Sequence, residues 1–266
     1  MKPPVVKPIR TSDPGLIKSL TTALVVALAA LPALVAPAQV PVFTNVWNIQ
    51  AGTHYDLPSA NVSTVRGIAL NPVTTNVVYP STTASNHVAV ISGTDGSNYL
   101  GVLTGFDEVG ATNVITGGTL ALPQVRVADD GAVYACNLSG APTSIFKIYK
   151  WASDSDFTTA PLVVFSATGV GTNFQWRIGD YMDVRGSGLN TEIVVVGNGS
   201  GANITTNFVI FKAADEAATT FTNFTITIPG GVVNRSGAGV TFEGTNNVIY
   251  CRAAGSTTVF RVAYDP

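Results

Sequence analysis

The sequence predicts an all-β fold built from repeated four-stranded antiparallel units, and three observations carry that prediction. Gly, Thr, Asn, Ser and Val are abundant while Lys, Glu and Leu are scarce, a balance that suits strands joined by tight turns. No stretch after the first 38 residues sustains the 3.6-residue apolar period of a helix. Finally, one pattern of strand, turn and strand recurs four times along the chain.

The repeats open with RGIALNPVTTNVVYPS from Arg66, PQVRVADDGAVYACNL from Pro123, YMDVRGSGLNTEIVVVGN from Tyr181 and GAGVTFEGTNNVIYCRA from Gly237. Each pairs a short apolar strand with a β-branched one across a turn rich in Asn, Asp, Gly or Thr. Tyr79, Tyr134, Val194 and Tyr250 align as equivalents, 55 to 60 residues apart. Third strands follow as HVAVIS from His87, FKIYKW from Phe146, FVIFKA from Phe208 and FRVAYD from Phe260. In the second of these, Phe146, Ile148 and Lys150 fall on one side and Lys147, Tyr149 and Trp151 on the other. Fourth strands appear as YLGVL from Tyr99, LVVF from Leu162 and FTITI from Phe224.

Four antiparallel strands per repeat at this period suit a β-propeller, with blades near 64–103, 122–165, 181–228 and 237–266 inside a domain spanning 39–266. A β-sandwich is the alternative, because it also has short strands and closely spaced turns. The segment VFTNVWNIQAG resembles FTNFTITIPGG, so a strand at 43–49 could complete the last blade and close a four-bladed ring. The other reading is a fragment of a larger propeller.

Residues 1–38 differ from the rest. Lys2, Lys7, Arg10 and Lys18 precede the apolar run SLTTALVVALAALPALVA, and Ala36-Pro37-Ala38 supplies small residues for cleavage. This pattern predicts a removable export signal and a secreted protein, extracellular or periplasmic, with no membrane span after signal removal; the run is shorter than a span needs and contains Pro32. Cys136 and Cys251 are the two cysteines. They fall in different repeats on opposite faces, which predicts two buried free thiols. A formal net charge of −2 leaves no basic surface for nucleic acid.

RGIALNPVTTNVVY, VAVISGTDGSNYLG and VADDGAVYACNL resemble the blades of YVTN-type propellers. Together with FKIYKWASDSD and GDYMDVRGSGLNTEI, they are also similar to an uncharacterised domain family of exported bacterial proteins, from about Val42 to the end. The resemblance implies a propeller fold and carries no activity with it.

The candidate site is QWRIGDYMDVRGSG, which places Arg177, Asp180, Asp183 and Arg185 together in a chain only 11% charged. Asp183 and Arg185 share a face of a first strand, and first strands line a propeller's channel. The arginine forks could orient an anionic or polyhydroxyl ligand, or the four charges could brace the fold; the shortage of other charges favours bracing. Arg66 and Arg126 occupy matching first-strand places and complete the ligand-binding candidates. Asp129-Asp130 before Gly131 suits a tight turn, and Asp154, Asp156 and Asp215-Glu216 suit solvated hairpins rather than a calcium loop.

No metal site is expected, since His54 and His87 cannot assemble a zinc centre with two buried cysteines. No catalytic residues and no cofactor are assigned: there is no Gly-x-Ser-x-Gly elbow, and GNGSGAN lacks the lysine of a phosphate loop. Trp47, Trp151 and Trp176 suit packing more than sugar stacking. The sequence therefore predicts an exported, non-catalytic module that binds glycan or protein. The alternative is a propeller enzyme, lactonase-like or quinoprotein-like, at the channel mouth.

Overall fold

The computed structural model describes Trp47 and residues 66–82, 85–96, 98–107, 112–141, 143–170, 177–197, 207–227, 239–252 and 258–265. The chain divides into two compact units, Met1–Asn45 and Val46–Pro266, and every described residue belongs to the second. The expected leader, His54, Trp176 and all of the 43–49 strand except Trp47 lie outside the described residues.

The structure is all-β, with four antiparallel sheets among the described residues whose strands follow chain order. The first holds β1 (Ala69–Leu70), β2 (Val77–Ser81), β3 (His87–Ile91) and β4 (Tyr99–Leu103). The second holds β5 (Leu120–Val127), β6 (Val133–Leu138), β7 (Phe146–Trp151) and β8 (Leu162–Ala167). The third holds β9 (Tyr181–Arg185), β10 (Glu192–Val196), β11 (Asn207–Ala213) and β12 (Phe221–Thr227). Among the described residues the fourth has three strands, β13 (Gly239–Phe242), β14 (Val248–Arg252) and β15 (Val259–Ala263). Each sheet is thus the up-and-down unit the repeat predicts.

Two departures have local causes, both involving proline. β1 is short because its partner β2 carries Pro80, which has no N–H for the ladder. The chain before β1 turns instead to the second sheet, where the Arg66 and Gly67 amides donate to the Pro123 carbonyl at 3.0 Å. Pro123 in turn sits where the β5–β6 register slips between Leu120 and Gln124.

Successive sheets pack face to face. Val78, Val88 and Val90 meet Val133, Ala135 and Trp151 between the first and second sheets. Tyr134, Cys136, Phe146 and Ile148 meet Ile193, Val195 and Phe211 between the second and third. Val194, Val196, Phe208 and Ile210 meet Val240, Phe242 and Ile249 between the third and fourth. The second and third sheets are therefore buried on both faces, which explains why every residue of β6 and β10 is buried and not every second one. The predicted sides of β7 are those observed, Phe146 and Ile148 against the third sheet and Tyr149 and Trp151 against the first.

The alignment of Tyr79 with Tyr134 does not survive. The β1–β2 turn closes between Asn71 and Asn76, one residue longer than the turn from Ala128 to Ala132. A one-residue slip reverses the face, so Tyr79 points away from the second sheet beside Val77, Ala89 and Ile91. Trp47 packs on that same face, and its indole Nε1 donates to the Gly93 carbonyl at 3.1 Å. Cys136 and Cys251 are free and buried in clusters on opposite sides of the third sheet.

Candidate functional site

The first strands lie in sequence across the molecule, with β1 and β2 against β5, β5 against β9, and β9 against β13. Along this seam the structure distributes the six candidate residues into three polar groups. Asp180 centres the first. It is buried, and it follows Gly179, whose φ of +104 and position 2.1 Å from the Asn137 carbonyl for any added Cβ leave room only for glycine. Arg177 grips both carboxylate oxygens, with Nε and Nη2 each at 2.7 Å, and Arg66 donates to Oδ1 at 2.7 Å. Gln124 donates to the Asp180 carbonyl at 2.6 Å. The bonds from Asp180 hold the Arg177 guanidinium above its ordinary pKa. This group ties the first, second and third sheets together.

Asp183 forms the second group with Arg126. Its Oδ2 accepts from Thr241 Oγ1 and the Phe242 amide, each at 2.8 Å, which clamps β9 to β13. Oδ1 lies 3.8 Å from Arg126 Nε, a loose ion pair. Burial pushes the Arg126 guanidinium down and Asp183 opposes the shift; the same guanidinium donates to the Val125 carbonyl at 2.7 Å.

Arg185 forms the third group and does not pair with Asp183. It stands in one row with Glu192 and Lys212 across β9, β10 and β11. Its Nε donates to Glu192 at 3.0 Å, Nη1 to the Gly244 and Asn246 carbonyls, and Nη2 to Glu192 and, at 2.8 Å, to Tyr264 Oη. The Phe242 ring lies 4.4 Å from the guanidinium carbon. Burial pushes the Glu192 carboxyl up, but bonds and charge from Arg185, the Tyr264 hydroxyl and Lys212 outweigh it and hold the group below the usual range. Glu192 is thereby an ionised acceptor. Burial first, then Glu192, raises the Tyr264 phenol.

This third group floors a cleft of about 620 Å³ between the third and fourth sheets. One wall is the β9–β10 connection, whose residues Gly188–Asn190 form a single 3-10 turn; the other is the β13–β14 turn with Thr245 and Asn247. Gly186 opens that connection with a φ of +76, and an added Cβ would lie 2.1 Å from the Asn190 carbonyl. Asp129 closes one end: its Oδ2 accepts from the Gly186 amide at 3.0 Å, and its own amide donates to the Gly186 carbonyl at 3.0 Å. Asp183 and Arg185 line the cleft, whereas Arg66, Arg126, Arg177 and Asp180 do not.

Comparison with known proteins bears on the fold. No family model matches the chain, and no curated protein does. Among solved structures it is similar to a DUF4623 family protein from Bacteroides eggerthii DSM 20697, at 20% identity over 76% of this chain with a TM-score of 0.54. The chain spans 43% of that protein, less than half its length. At this identity the likeness concerns the fold alone. The similarity to an uncharacterised domain family has a structural counterpart in this neighbour, while the relation to YVTN-type propellers rests on sequence pattern.

Elsewhere one expectation is corrected. Asp154 does not sit in a solvated hairpin but is fully buried, accepting from Thr74 Oγ1 at 2.6 Å and Asn76 Nδ2 at 3.2 Å in the first sheet's turn. These two partners lie about eighty residues away in sequence, so spacing could not reveal them. Asp156 and Asp215 do cap their own exposed hairpins through Thr158 and Thr219, and Asp130 closes its turn through the Ala132 amide. Trp151 is buried and donates to the Thr104 carbonyl. Among the described residues no group of His, Cys, Asp and Glu could hold a metal ion. Glu192, Lys212 and Tyr264 escaped the sequence reading. The available signal was Glu192 itself, a charge opening a strand where the other repeats place Val77, Val133 and Val248.

Proposed function

We propose that this chain is an exported propeller-type binding module whose cleft between the third and fourth sheets takes a polyhydroxylated glycan. The observation that carries the reading is the composition of that cleft. Carboxylate acceptors, the amides of Asn190 and Asn247, the Thr245 hydroxyl and the Lys212 ammonium surround an exposed Leu189. Sugar hydroxyls both donate and accept, so a wall of mixed donors and acceptors with one apolar contact suits them. Glu192, held ionised, acts there as an acceptor and not as an acid.

The propeller assignment draws support from two sheets buried on both faces, since a two-layer sandwich leaves one face of each sheet outside. The kinship with YVTN-type propellers draws on the turn pattern, and export on the first 38 residues. Fractionation of cells making the full chain should find the protein outside the cytoplasm with Gln39 at its amino terminus.

The binding test is a glycan array, followed by calorimetry on the purified protein and on Asn190→Ala and Lys212→Ala. Both side chains reach the surface, so stability should move by less than about 1 kcal/mol while affinity falls. Absence of saturable glycan binding, or binding that neither substitution weakens, would overturn the assignment, and capture of protein ligands alone would replace it.

A further inference from the structure

We infer that the chain works as a pair, two copies closing head to tail into one ring of eight sheets; this rests on the propeller reading and adds a partner to it. Every internal layer of the molecule is made the same way, one face of a sheet against the opposite face of the next. The first and fourth sheets share no such layer among the described residues, so each keeps one face without a neighbouring sheet. On the first sheet that face holds Leu70, the cross-strand neighbour of Val77, with Tyr79, Ala89 and Ile91 beyond. Trp47 and Tyr99 pack over its middle, while Ile68 and Leu70 stay 65% and 61% exposed. On the fourth sheet Phe260 and Val262 face the third, so alternation turns Val259 and Arg261 outward beside Arg252 and Tyr250. Val259 is 61% exposed.

These two faces are the two sides of one layer. Contacts that repeat head to tail give a closed ring when the rotation returns to its start. A second copy supplies the matching face at each open end, and two copies bring eight sheets, the upper end of the usual propeller range, whereas three would bring twelve. The layers inside the chain draw on a fourth strand, Phe165 of β8 in one and Phe224 and Ile226 of β12 in another. The fourth sheet has no such strand among the described residues, and Trp47, already seated on the first sheet's face, fills that place in the layer between copies. The fourth sheet's face also has the composition of a subunit contact. It carries Tyr250, Arg252, Val259 and Arg261, the last neutralised by Glu243 at 2.7 Å, and no lysine occurs from Gly239 to Pro266. Tyrosine and arginine are enriched where subunits meet, and lysine is depleted.

The test is sedimentation velocity of the purified protein across a wide concentration series, with Leu70→Lys and Val259→Glu alone and mixed. The parent should sediment as a dimer. Each residue lies in both contacts of the ring, so a loss of about tenfold at each contact weakens the dimer roughly a hundredfold, and either variant alone should run as a monomer. Mixing the two leaves one contact unaltered and sets lysine against glutamate in the other, so a mixed dimer should return. Circular dichroism melts should match the parent, since both side chains are exposed. A parent that stays monomeric, or that grows beyond a dimer, overturns the inference. Disruption by only one variant, or no recovery on mixing, overturns the head-to-tail pairing and the inference with it. Small-angle X-ray scattering separates this from the propeller reading: an arc-shaped monomer leaves that reading standing, whereas a flat two-layer envelope sinks it.

Discussion

Replacing Asp180 with Asn tests whether the densest charge cluster braces the fold or serves a ligand. The carboxylate accepts three bonds from two guanidiniums, all at 2.7 Å, and its side chain is 2% exposed. An asparagine keeps one acceptor and turns an NH₂ toward a guanidinium donor, so one bond becomes a donor facing a donor and the ion pairing is lost. Breaking a buried pair from one side costs about 3–5 kcal/mol. Arg66 and Arg177 are 27% and 34% exposed and regain some hydration, which places the expected loss near the lower end, about 3 kcal/mol. At roughly 2–4 °C per kcal/mol for a domain of this size, melting should fall by about 6–12 °C. Circular dichroism melts and urea titrations on the purified protein read this directly, the urea midpoint moving with an unchanged slope. A melting temperature within about 1 °C of the parent, or a loss of ligand affinity alone, would refute the bracing account.

Arg185→Met strips Glu192 of its strongest partner and leaves a carboxylate 8% exposed beside Lys212, so stability should drop by about 3 kcal/mol as cleft binding is lost. Because the folded Glu192 carboxyl lies below its ordinary value of 4.5, its stabilisation is complete above that pH and fades as acid approaches the folded value. A pH series of urea midpoints should show that decline, and Glu192→Gln should flatten it. Gly186→Ala meets a φ of +76 and the Asn190 carbonyl, and should cost about 1–3 kcal/mol while distorting the cleft wall, seen as weaker glycan binding.

Strand order was legible because β-branched runs and turn residues alternate at a constant spacing, and the described strands fall on those runs. The face of Tyr79 was not, because one additional turn residue between Asn71 and Asn76 changes the face without changing the pattern. Of the site, Asp183 and Arg185 were visible as charges in an apolar chain, but their partners were not. Arg185 meets Gly244, Asn246 and Tyr264 some sixty to eighty residues onward, contacts set by the stacking of sheets. The Arg185, Glu192 and Lys212 row was accessible in principle: pairing the three strands in their observed register places the three residues side by side. What no pairing rule supplies is the cleft, which needs the fourth sheet in place.

The polar contacts also answer why so few charges suffice. The layers between sheets are apolar clusters, and apolar contact resists separation far better than it resists sliding. A directional bond supplies what those clusters lack. Each interface has an aspartate crossing it: Asp154 to Thr74 between the first and second sheets, Asp129 to the Gly186 amide between the second and third, and Asp183 to the Phe242 amide between the third and fourth. Asp154 has both carboxylate oxygens engaged, by Thr74 and Asn76 on one and Ser155 on the other, and it is fully buried. Asp129 and Asp183 hold their sheets through Oδ2 and border an open cleft. The same residue type in the same role thus ends in two fates, set by whether the second oxygen is enclosed. Between the third and fourth sheets the Gly186 to Thr191 connection forms one wall of that cleft, so the carboxylates that brace the sheets also line it.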